Sequence, residues 1–203
     1  MTTKTASYLS ISFPLIAVVL GSAILLQDGK KKDAPPVDKH DPAAMGMPPM
    51  AKPGPEHEML RKSIGVWDAT MKMEGMPEGM PDGKGVETNT ALGEFSIISD
   101  FRMPDFMGMP FHGHGVLGYS VSKKKYYISW TDSMSPEIMV SEGDYNKEKK
   151  TLSMTGEMDQ GGTRVKSKLV TEMPNDDLRI FKMYNIDGGK EMLQFTIEYK
   201  RRK

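Results

Sequence analysis

Two histidines, His112 and His114, stand at i and i+2, so on a β-strand both imidazoles turn to one face. A pair that close could supply two ligands to zinc or copper, whereas protein metal sites use three or four. No third ligand is local, so His57 or a carboxylate would have to converge on them in space. The plainer reading is a pair of solvent-facing polar residues. Gly113 and Gly115 lie between and after them, which suggests a close backbone approach or a bulge.

Methionine is the other residue type with chemistry to offer. The chain has 19, clustered at Met45, Met47 and Met50, at Met71, Met73, Met76 and Met80, and at Met103, Met107 and Met109. Thioethers are soft ligands that favour Cu(I), and the Met-x-Met spacing resembles that of periplasmic copper carriers. Flexible Met side chains also fill irregular cores and line adaptable apolar surfaces. Met71 and Met73 alternate with Thr70 and Lys72 as a barrel-facing pair would. Met76 and Met80 lie in a tandem Gly-Met-Pro loop, and Pro104, Gly108 and Pro110 make Met103–Met109 read as a second loop. Two such loops meeting at one barrel mouth would form a soft rim.

Other chemistries are excluded. With no cysteine there is no disulfide, thiolate nucleophile, Cys-ligated zinc or iron–sulfur cluster. There is no Gly-x-Ser-x-Gly elbow, phosphate-binding Gly-rich loop, dinucleotide fingerprint or His-Glu-x-x-His. No catalytic residue can be nominated and no cofactor is implied. Lys plus Arg number 27 against 27 Asp plus Glu, with no basic cluster, so no nucleic-acid partner is expected.

The elements that must position these residues begin after residue 55. Tyr8 to Leu26 carries no charge and contains the apolar runs 16–20 and 23–26, a length between a secretory h-region and a minimal membrane span. Residues 1–27 therefore read as a signal peptide or an N-terminal membrane anchor. Gly21-Ser22-Ala23 offers small residues for cleavage, and Ile24 continues the apolar run. Either way the chain is expected outside the cytoplasm, periplasmic or secreted. Residues 28–55 hold seven prolines and few large aliphatic residues, the composition of a disordered Pro/Met-rich linker.

Residues 56–203 alternate with period two. Leu193, Phe195, Ile197 and Tyr199 share one face of a run; Tyr126, Ile128 and Trp130 share another. Phe95, Ile97, Ser99 and Phe101 form a third, and Val165, Ser167, Leu169 and Thr171 a weaker fourth. Pro81-Asp82-Gly83, Gly161-Gly162, Asn175-Asp176 and Gly188-Gly189 punctuate them. The pattern predicts one short helix near His57–Ser63, then nine or ten strands closed as an all-β, up-and-down antiparallel barrel. An open sandwich of the same strands is the alternative.

A short helix leading into Gly65-Val66-Trp67, with Tyr199-Lys200-Arg201 on the last strand, resembles the lipocalin and calycin pattern. That resemblance implies that Trp67 closes the barrel floor and that Arg201 lies across its ring. Met107 to Phe111, Gly118-Tyr119, Trp130 to Met134, Glu142-Gly143 and Leu152 to Glu157 are similar to the bacterial family catalogued as domain of unknown function 1579. Membership implies a calycin-like barrel and no established activity. The chain departs from that pattern at His112 and His114, so chemistry there would be its own.

The resulting expectation is an exported, lipocalin-like binding module holding a small apolar ligand, with Trp67 and Trp130 near the interior. A metal carrier using His112, His114 and the Met loops is the alternative, and an enzyme acting within the cavity a second. A membrane partner follows only if residues 8–26 stay uncleaved. Nothing signals an oligomeric state.

Overall fold

The computed structural model describes residues 51–77 and 79–203. One helix, α1 (His57–Lys62), precedes ten strands. They are β1 (Gly65–Met73), β2 (Gly83–Leu92), β3 (Ser96–Phe106), β4 (Met109–Ser120), β5 (Lys125–Asp132), β6 (Ser135–Asn146), β7 (Thr151–Gln160), β8 (Thr163–Asn175), β9 (Leu178–Asp187) and β10 (Lys190–Arg201). Each strand pairs antiparallel with its sequence neighbours, and β1 pairs with β10 to close the sheet. The up-and-down barrel is therefore the fold, and the open sandwich is not. Gly161-Gly162 and Gly188-Gly189 have φ of 62°, 86°, 55° and 86°, the left-handed conformation that two-residue hairpin turns require.

Alternation decides what faces inward. On β3, Ile97, Ser99, Phe101 and Met103 are buried while the residues between them are more exposed. One core cluster runs through Leu60, Ile97, Tyr126, Leu152, Leu169 and Met183; another joins Trp67, Ala69, Phe101, Met103, Ile197 and Tyr199.

Helix α1 stoppers one end. Six residues cannot stabilise a helix alone, so its terminal carbonyls must find partners. The barrel supplies them. Arg201 donates from Nη2 to the Lys62 carbonyl at 2.6 Å and from Nη1 to the Ile64 carbonyl at 2.7 Å. Trp67 Nε1 and Asn89 Nδ2 both donate to the Ser63 carbonyl, at 3.0 and 3.1 Å. At the front of the helix, the Tyr126 hydroxyl donates to the Glu56 carbonyl at 2.8 Å.

Two sequence expectations are corrected. Met103–Met109 is not a loop, because β3 continues to Phe106 and β4 begins at Met109. The ladder slips between Met103 and Phe106, and that irregularity excuses Pro104 from donating a hydrogen bond. Leu193 does not share the face of Phe195. Leu193 pairs with Tyr184 but Phe195 with Met183, so Gln194 is an extra residue in β10. The bulge sends Leu193 outward beside Tyr184 and keeps Phe195 inward beside Met183.

The expected targeting segment and most of the linker lie outside the described residues. Among the described residues no helix is long and apolar enough to cross a membrane.

Candidate functional site

The barrel encloses a cavity of about 280 Å³ that runs from Glu87 and Ser99 near α1 to Phe106, Phe111 and Asp132 near the far turns. Eight of its lining residues are methionines, and Phe, Leu and Ile supply most of the rest. A ten-strand barrel of large inward side chains would fill itself. Inward glycines help to keep this one hollow, four of them on β2 and β4.

Gly83 and Gly85 sit on the inward register of β2, and Gly113 and Gly115 on that of β4. The Phe101 ring lies against Gly85, where an added Cβ would come within 3.1 Å of its Cζ. Met103 lies against Gly83 in the same way, with Sδ at 3.0 Å from such a Cβ. The Trp130 indole rests on both Gly113 and Gly115. A Cβ at Gly115 would approach Cε3 to 2.9 Å, and one at Gly113 would overlap the six-membered ring. Large side chains thus lie flat against bare backbone instead of projecting across the lumen.

Trp130 is held in that pose by its neighbour. Its Nε1 donates to Asp132 Oδ2 at 3.0 Å, while Asp132 Oδ1 accepts from the backbone N–H groups of Met134 and Ser135. One carboxylate both caps the β5–β6 turn and orients the indole in the cavity wall.

The floor is polar. Glu87, Ser99, Thr171, Arg179 and Tyr199 line it beneath the apolar wall. Arg179 Nη2 donates to Glu87 Oε1 at 2.8 Å, and both side chains are about nine-tenths buried, with 11 % and 10 % exposure. Asn89 Nδ2 donates to the same Glu87 oxygen at 2.8 Å, and Ser99 Oγ donates to Asn89 Oδ1 at 2.5 Å. Burial, with the Glu87 carboxylate beside it, pushes the Tyr199 hydroxyl well above the usual tyrosine range. The Arg179 guanidinium lies 3.9 Å from the Trp67 ring centroid and 4.8 Å from that of Tyr199. Its Nε is buried without a hydrogen-bond partner, which is tolerable for a cation against two π faces.

A second cavity, of about 290 Å³, lies at the helix end among Glu58, Lys62, Tyr126, Tyr145 and Lys147. Ser63, Met173 and Arg179 border both cavities.

The residues singled out from sequence separate cleanly. Trp130 lines the barrel cavity; Trp67 lies below it in the floor, 1 % exposed. Arg201 lies 4.2 Å from the Trp67 centroid, as the calycin resemblance implied. Met71, Met73 and Met103 line the cavity, while Met76, Met80, Met107 and Met109 are exposed near its far end. His112 and His114 face outward on β4. His112 Nε2 lies 2.8 Å from Asp100 Oδ2, and Arg102 holds the other carboxylate oxygen at 2.7 Å. Those two partners, Arg102 foremost, draw the Asp100 carboxyl below its ordinary range.

His57 does not converge on the pair. It is buried at the helix end, edge-on to Phe95 and Tyr119 at 5.5 and 5.9 Å. Among the described residues no three His, Asp or Glu side chains gather as a metal site would need.

Sequence reading missed Glu87 and Arg179. The signal for Glu87 was present, since it continues the inward series Gly83, Gly85, Glu87, Asn89.

A family model described as protein of unknown function (DUF1579) matches residues 52–201. Among solved structures, the S-type phycobiliprotein lyase CPES from Guillardia theta aligns at a TM-score of 0.51 and 14 % identity, covering 73 % of this chain and 93 % of that one. A de novo designed fluorescence-activating β-barrel aligns at 0.41 and 12 % identity, covering 70 % and 96 %. At 14 % identity the likeness to the lyase concerns the fold alone. No curated protein matches the sequence.

Proposed function

This chain belongs to the DUF1579 family, and from that premise we propose that its barrel is a binding module for a small, mostly apolar ligand. The observation that carries the reading is the hollow interior. A cavity of about 280 Å³, walled by methionine and aromatic side chains with a few convergent polar groups at one end, has the make-up of a small-molecule site. Its size is set by inward glycines whose neighbours lie flat, so the space is built into the wall. Methionine walls suit a ligand whose shape varies, because unbranched thioether chains re-pack at little cost.

The same reading puts the module outside the cytoplasm, tethered by residues 8–26 through a Pro-rich spacer. The uncharged run and the seven prolines that follow support it.

Native mass spectrometry of the full-length protein purified from its own cells tests the ligand. A bound organic mass that leaves on denaturation is expected. Stoichiometric copper or zinc in its place would establish the metal-carrier alternative.

A further inference from the structure

We propose that the cavity takes a neutral amphiphile of roughly ten non-hydrogen atoms, its hydroxyl or carbonyl end on the Glu87–Arg179–Tyr199 floor, and that Glu87 turns carboxylic acids away. The proposal rests on the apolar-ligand reading above and adds the head group and the size.

Size follows from volume. About 280 Å³ corresponds to roughly nine waters at ~30 Å³ each in the liquid, and a methylene needs similar room. The head group follows from the floor. A polar end drawn into this cavity loses its hydration, so a floor group must replace the lost hydrogen bonds.

Arg179 alone would favour an anion, but its Nη2 is already committed to Glu87 at 2.8 Å and the two charges cancel. An arriving carboxylate would sit beside the Glu87 anion in poorly solvated surroundings, where like charges repel strongly. Arg201, the next cation, is turned away from the cavity towards the carbonyls of Lys62 and Ile64 and the Asp177 carboxylate.

Neutral groups meet a better match. Ser99 Oγ donates to Asn89, which leaves its lone pairs able to accept. The Thr171 hydroxyl lines the same end and can donate or accept. A hydroxyl finds both kinds of partner there, and a carbonyl finds a donor. The apolar remainder then lies among Met71, Met103, Phe101 and Phe195, with Trp130 nearer the far end.

The test uses full-length protein at neutral pH, with 1-octanol and octanoate as probes in isothermal titration calorimetry. The expected result is saturable octanol binding and octanoate weaker by at least roughly tenfold. Glu87→Gln should shift the octanoate-to-octanol affinity ratio towards octanoate by roughly tenfold, since Arg179 is then unneutralised. Octanoate binding the wild type as tightly as octanol would overturn the head-group proposal while the ligand module stands. Failure of both probes to bind would overturn the size and the underlying reading together. Should Glu87→Gln not fold, the wild-type octanol-to-octanoate ratio decides alone.

Discussion

The guanidinium of Arg179 lies 3.9 Å from the centroid of the Trp67 ring, and that of Arg201 lies 4.2 Å from the same ring. Two cations from adjacent strands share one indole, which also donates to the Ser63 carbonyl at the end of α1. Trp67 is thus the common contact of the helix, the cavity floor and the β1–β10 closure.

Trp67→Ala should therefore cost roughly 3–5 kcal/mol, as deletion of a buried aromatic ring does, and leave Arg179 and Arg201 without their shared partner. Denaturant titration measures it. A loss below about 1 kcal/mol would be inconsistent with a buried floor. Trp67→Phe should cost distinctly less, because a ring remains for the cations.

Gly113→Ala should narrow the cavity. The new methyl occupies the place of the Trp130 ring, so the indole must tilt into the lumen or the strands must part. Overpacking of this kind costs about 1–3 kcal/mol. Trp130 emission should shift and octanol binding should fall, both read by fluorescence. Unchanged emission and affinity would show that the indole does not rest on β4.

Stability should decline in alkali. Burial pushes the Tyr126 hydroxyl up to about 12, and Tyr199 also lies well above the usual range near 10. Folded protein then holds protons that the unfolded chain releases, so their contribution is complete below pH 10 and is lost as pH rises towards 12. Tyr126→Phe should lower stability by about 1 kcal/mol at neutral pH, through the lost bond to the Glu56 carbonyl. It should also make the alkaline decline shallower. Urea midpoints at several pH values would reveal both effects, and an unchanged alkaline slope in the variant would remove Tyr126 from the account.

The double change His112→Ala with His114→Ala should alter stability by no more than about 1 kcal/mol, since an exposed ion pair contributes little. Metal content by elemental analysis should match the wild type. Stoichiometric zinc or copper that disappears in the variant would make β4 a metal site after all.

Tagged protein should fractionate with membranes and resist carbonate extraction. As a helix, residues 8–26 would span about 28 Å, close to the ~30 Å hydrocarbon core. Recovery of a soluble form starting near Ile24 would identify a cleaved signal instead.

Strand faces were legible because alternation is a local property. Ile97, Ser99, Phe101 and Met103 face inward as their spacing says. The β10 bulge was not legible, since nothing local marks Gln194 as the residue the curving sheet leaves over. Pro104 and Pro110 read as breakers, and only their place beside a slipped ladder shows why strands tolerate them. Arg201 over Trp67 came through the calycin resemblance. Arg179 did not, because its inward position follows from pairing with Tyr199, a fact of register between β9 and β10. The cavity itself was the least legible feature. Gly113 and Gly115 drew notice beside two histidines, but what approaches their backbone is Trp130, the neighbour across the ladder.

Closure of the barrel between β1 and β10 sets the order of events during synthesis. Trp67 pairs with Arg201, and Val66 accepts from the Arg202 amide, across more than 130 residues of chain. Nine successive hairpins can zip locally while the chain emerges, but β1 must wait with one unpaired edge until β10 has left the ribosome. Contacts of such sequence separation form slowly, and an open edge is a template for intermolecular pairing. The same carbonyls of Lys62 and Ile64 that Arg201 later captures are bare until then. Until β10 pairs with β1 the sheet keeps an open edge of the kind that templates aggregation, and Arg201 reaches its carbonyls with that closure.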